Sequence, residues 1–96
     1  MPIKIRKSDD GCVLISDPYI AATVLTLEFT DLAGGIPDPE NPKKKYIKIR
    51  IEPNNEENFK KVEECINNWF MGKASGSYPK FAEKLKYIRY MVFTRK

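Results

Sequence analysis

Two short segments hold the residue types whose spacing suits a binding chemistry. In the first, Lys4 and Arg6 alternate with Ile3 and Ile5; in the second, Tyr46, Lys48 and Arg50 alternate with Ile47, Ile49 and Ile51. A period of two sends successive side chains to opposite faces of a strand, so each segment buries isoleucines and turns polar groups outward. Lysine and arginine neutralise phosphates, and an aromatic ring offers a platform for an unstacked base. Where the two strands present the same side, Lys4, Arg6, Tyr46, Lys48 and Arg50 form a candidate nucleic-acid-binding face, with Lys43, Lys44 and Lys45 extending its field. The competing explanation is solubility, because strands facing water alternate apolar with charged residues and lysine guards sheet edges against pairing.

Catalytic chemistry finds little in this chain. There is no histidine, so the commonest general base and transition-metal ligand is missing. Asp9, Asp10, Asp17, Asp31 and Asp38 fall in predicted turns, where aspartate serves local hydrogen bonding. Cys65 lies mid-helix beside Glu63 and Glu64, a poor setting for a thiolate nucleophile. The run Gly72-Lys73-Ala74-Ser75-Gly76-Ser77 lacks the spacing and the strand-to-helix context of a phosphate loop. No catalytic residue, metal, cofactor or small-molecule substrate is expected. Trp69 and Phe70 are adjacent on a predicted helix and cannot share one stripe, so one of them is a candidate protein contact.

The elements that position these residues follow from pattern. At 96 residues, 42% apolar and 31% charged, the chain suits a single folded domain. Ile3 to Ser16 reads as a hairpin turning at Ser8-Asp9-Asp10-Gly11, and Asp17-Pro18 interrupts it. Ile20 to Thr30, rich in Val, Thr, Leu and Phe, reads as a third strand. Residues 31 to 44, with Gly34, Gly35, Pro37, Pro39 and Pro42, read as a long mobile loop. Tyr46 to Glu52 is the cleanest strand, ended by Pro53.

Asn54 then resembles an N-cap with Glu57 three residues on, opening a helix over about 55–71 whose stripe is Phe59, Val62, Ile66 and Trp69. A short helix is expected over about 79–86, and Tyr87 to Thr94, aromatic and β-branched, is read as a terminal strand in preference to a continuing helix. The sum is an α+β domain: a mainly antiparallel sheet of four to five strands with one long helix and a short second one on one face.

Composition frames the partners. A net charge of +4 permits contact with nucleic acid. No apolar run approaches bilayer length and the N-terminal segment alternates charge with isoleucine, so a cytoplasmic protein without membrane contact is expected. Cys12 and Cys65 sit among apolar neighbours and read as buried thiols. Abundant Lys and Glu with no Gln suggest a thermophilic archaeal or viral source, against which Asn54, Asn55, Asn67 and Asn68 weigh. Two functions are carried forward. One is a non-catalytic nucleic-acid-binding module or accessory subunit of a DNA- or RNA-processing complex, for example polymerase-associated. The other is a protein-interaction module, such as a homodimer or a viral or host inhibitor, using an edge strand or the C-terminal aromatics.

Overall fold

A computed structural model describes residues 6–38, 40–41, 43–72 and 78–93. Lys4 and the rest of residues 1–5, the Lys73 to Ser77 connection and Thr94 therefore lie outside the described residues. The chain is an α+β fold. Four strands, β1 (Arg6–Lys7), β2 (Val13–Ile15), β3 (Thr30–Pro37) and β4 (Lys45–Ile51), form one sheet in the order β1-β2-β4-β3, every pair antiparallel. The helices are α1 (Pro18–Val24), α2 (Glu56–Phe70) and α3 (Tyr78–Ile88), and α3 runs on into a five-residue π turn, Arg89–Phe93.

Strand β4 lies inside the sheet between β2 and β3, and it alternates strictly: Ile47, Ile49 and Ile51 are buried while Tyr46, Lys48 and Arg50 lie on the other side. Burying an isoleucine side chain contributes about 2 kcal/mol, so this strand alone anchors much of the core. Val13 and Ile15 of β2 face the same way. Above them sit Ile20, Ala21, Ala22, Val24 and Leu25 from the α1 region, Val62 and Ile66 from α2, Ile88 from α3 and Val92 from the π turn. Helix α1 packs on α2, α3, β2 and β4, and the π turn packs on β3. Among the described residues, the helical layer covers one face of the sheet and leaves the other open.

Three stretches depart from the sequence reading. Residues 20–30, expected as a strand, begin as helix α1. Asp17 caps that helix, its carboxylate accepting hydrogen bonds from the Tyr19 and Ile20 amides at 2.8 and 3.4 Å, and Pro18 takes the first turn. Leu25, Leu27 and Phe29 still point into or against the core, but from successive turns.

Residues 31–37, expected as the start of a long loop, form most of β3. A bulge between Leu32 and Gly34, with Gly34 at φ +122°, carries the strand through the glycine pair. Asp38, Asn41 and Lys44 close the hairpin through bonds from the Asp38 amide to Lys44 O (3.0 Å) and from the Lys44 amide to Asn41 O (2.9 Å).

Of Tyr87 to Thr94, read as a terminal strand, the described residues Tyr87 to Phe93 continue the helix instead. Phe81, Leu85, Ile88 and Val92 make one stripe against the core, Ile88 fully and Val92 almost fully buried, while Tyr87, Tyr90 and Phe93 face outward. Aromatic and β-branched residues prefer strands only weakly, and burial of this stripe overrides the preference. At the start of α2 the cap is Asn55, one residue later than expected: its side-chain oxygen Oδ1 accepts from the Asn58 backbone amide at 2.8 Å. Asn54 instead donates to Gly11 O at 3.0 Å, tying the β1–β2 turn to the end of β4.

Candidate nucleic-acid interface

Register decides which of the proposed residues meet. Arg6 lies opposite Leu14, and Leu14 opposite Lys48, so β1 and β4 do present the same side, with β2 between them. On the other flank of β4, Asp31 lies opposite Arg50 and Ile36 opposite Tyr46. The open face thus carries Arg6, Leu14, Tyr46, Lys48, Arg50, Asp31 and Ile36. The Arg6 guanidinium reaches over the Tyr46 ring, 5.6 Å from its centroid, within range of a cation–π contact. Lys7, one residue on, turns to the helical side, where its ammonium lies 3.9 Å from the centroid of the Phe59 ring.

Charge on this face is unequal. Lys48 is paired with Asp10 of the β1–β2 turn, Nζ to carboxylate oxygen 2.7 Å, and Ser8 donates a second hydrogen bond to the same carboxylate. The Lys48 hydrogen bond, and then the Ser8 one, hold the Asp10 carboxyl well below the usual carboxylate range, and the same partner raises the Lys48 ammonium above its ordinary value. Lys48 therefore meets an incoming phosphate already partnered. Arg6 and Arg50, both exposed, are the cations best able to reach one.

The lysine run divides. Lys45 shares the inward side of β4 with Ile47, and its ammonium donates to Val92 O at 3.0 Å. Lys43 and Lys44 stand on the hairpin turn and, with Lys45, line a separate cleft against Arg89 and Phe93. The expected extension of the sheet-face field is thus directed to the end of the helical layer.

Comparison with family models, curated proteins and solved structures gives no match to this chain. Function must be argued from its own surfaces.

The other singled-out residues have plain roles. Trp69 is half-buried and stacks with Phe81, ring centroids 6.4 Å apart, and Phe81 stacks in turn with Tyr19 at 6.5 Å. Phe70 points away, 61% exposed, beside Met71 at 59%. Cys12 is buried, Cys65 half-buried, and both are free thiols; burial, not the neighbouring glutamates, pushes the Cys65 thiol up. Among the described residues no group of three His, Cys, Asp or Glu side chains is placed to hold a metal, and no helix is long and apolar enough to cross a membrane. Leu14 and Arg89 are not singled out by the sequence reading. The alternation of Leu14 against Val13 and Ile15 was the available signal for the first of them.

Proposed function

We propose that this protein is a non-catalytic nucleic-acid-binding module, an accessory subunit of a DNA- or RNA-processing complex, whose helix-free sheet face receives a single strand. The observation that carries the reading is the convergence of Arg6, Tyr46 and Arg50 from two strands onto one open surface that also offers apolar Leu14 and Ile36. Arginines engage phosphates, and the Tyr46 ring with its apolar neighbours supplies stacking and contact surface for splayed bases. A flat sheet suits a single strand better than the grooves of a duplex. Fluorescence anisotropy with single- and double-stranded oligonucleotides at low and moderate salt tests the reading. Single strands should bind more tightly, with a salt slope of about −0.7 per phosphate contact. Arg6→Glu/Arg50→Glu should weaken binding by an order of magnitude or more. Equal binding by that variant, or no binding at low salt, overturns the proposal.

The exposed Phe70 and Met71 at the end of α2 favour a second reading, a protein contact made there. Its sign is self-association or partner capture that persists at high salt and is lost in Phe70→Ser. A monomer by light scattering that also captures no partner at high salt speaks against it.

A further inference from the structure

The cleft at the end of the helical layer is chemically distinct from the open sheet face. It is lined by Ser16 and Pro18, where β2 passes into α1, by Lys43, Lys44 and Lys45 from the hairpin turn and the start of β4, and by Arg89 and Phe93 of the π turn. Four of these seven residues are cationic and none is acidic. Its volume of about 600 Å³ falls within the range of pockets that hold small ligands and cofactors.

Like charges brought together without a counter-charge repel one another, and a multivalent anion relieves that repulsion. The arrangement is also built. Lys45 is fixed by its bond to Val92 O, and the Lys43 and Lys44 backbone amides are fixed by bonds to Asn41 Oδ1 and O at 3.2 and 2.9 Å. Phe93, 44% exposed, presents a ring beside the cations. Clustered cations next to an exposed ring match a ligand that is anionic at one end and flat and aromatic at the other.

We infer that this cleft binds a phosphorylated nucleoside, its phosphates among Lys43, Lys44, Lys45 and Arg89 and its base against Phe93. The site lies apart from the open sheet face, and the inference stands whether or not that face binds a strand. The nucleotide is either free or the 5′ end of a strand, and the two sources are separable.

Isothermal titration of the full chain at low salt with ATP, adenosine and inorganic triphosphate gives the first test. ATP should bind more tightly than either fragment. Arg89→Glu and Lys44→Glu, both exposed positions, should each weaken ATP binding about tenfold, whereas Lys60→Glu at an exposed position of α2 should leave it unchanged. Phe93→Ser should reduce ATP binding to the level of triphosphate. Amide chemical shifts of the ATP-bound chain should move around residues 43–45 and 89–93, which keeps the test readable even where one variant fails to fold. Oligonucleotides with a 5′-phosphate or a 5′-hydroxyl then separate the sources. A gain from the 5′-phosphate that Arg89→Glu abolishes assigns the site to a strand end; ATP binding without such a gain assigns it to a free nucleotide. No ATP binding, binding lost in Lys60→Glu but kept in Arg89→Glu, or triphosphate bound as tightly as ATP would overturn the inference.

Discussion

Adding a single methyl group at Gly35 tests the packing of the π turn, Arg89–Phe93, against β3. A Cβ built there sits 2.6 Å from Val92 Cγ1, 3.4 Å from Tyr46 O and 3.5 Å from Val92 Cβ. Carbon atoms make their best contact at about 3.5–4.0 Å, so the overlap with Cγ1 approaches an ångström. Val92 has little room to yield, being 3% exposed and stiff about χ1. Relief requires the π turn to move off the strand, and Gly35→Ala should destabilise the fold by about 1–3 kcal/mol.

Val92→Ala removes the colliding methyl at a cost of about 2 kcal/mol for two lost buried carbons. The remaining contacts at 3.4 and 3.5 Å are ordinary ones. Gly35→Ala/Val92→Ala should therefore be no less stable than Val92→Ala alone, a favourable coupling about equal to the single-variant penalty at Gly35. Urea denaturation followed by far-UV circular dichroism and by Trp69 fluorescence measures all three, with coincident transitions checking that one step is observed. Additivity within about 0.5 kcal/mol, or a neutral Gly35→Ala, would refute the placement of the π turn on β3.

Two further outcomes follow from the turns. Asp10 is depressed by Lys48 first and Ser8 second, so its carboxylate contributes stability above the ordinary aspartate value of about 3.9, and that contribution is lost as pH falls through the lower folded value. Nuclear magnetic resonance titration of the Asp10 carboxyl should place its midpoint below the ordinary value of about 3.9 and move it upward in Lys48→Met; a midpoint unaffected by that change contradicts the pair. Asp17→Ala removes the cap of α1 and should cost about 0.5–2 kcal/mol in chemical denaturation, whereas a loss below about 0.3 kcal/mol would mean that the cap does not hold this helix.

Much of the frame can be read from local pattern, and the misreadings share a cause. Tyr46 to Glu52 is legible because one side of β4 is fully buried and the other is not, which makes the period of two strict. The Asp17-Pro18 pair carries a helix-start signal, a cap followed by proline in the first turn, but the β-branched residues that follow mask it. Gly34 and Gly35 look like loop residues because what they do is set by distant chain: one takes a positive φ in a bulge, and the other leaves space for Val92. The candidate face was legible as two alternating segments, while its adjacency required the register through Leu14. The pairing of Lys48 with Asp10 and the diversion of Lys45 to Val92 O depend on tertiary geometry, which no spacing along the chain reports.

The sheet order has a kinetic consequence. Strands β3 and β4 are joined by a short turn, their ladder running from Thr30 opposite Ile51 to Pro37 opposite Lys45, so roughly eight positions separate its closest partners. Strand β2 meets the same strand with Ile15 and Ile47 as its closest partners, roughly 32 positions apart, and closing that longer interval costs about 1.2 kcal/mol more chain entropy. Local pairings tend to form before distant ones. The hairpin of β3 and β4 is then the early partner in folding, and the short β1–β2 ribbon that brings Arg6 to Tyr46 docks onto its edge late.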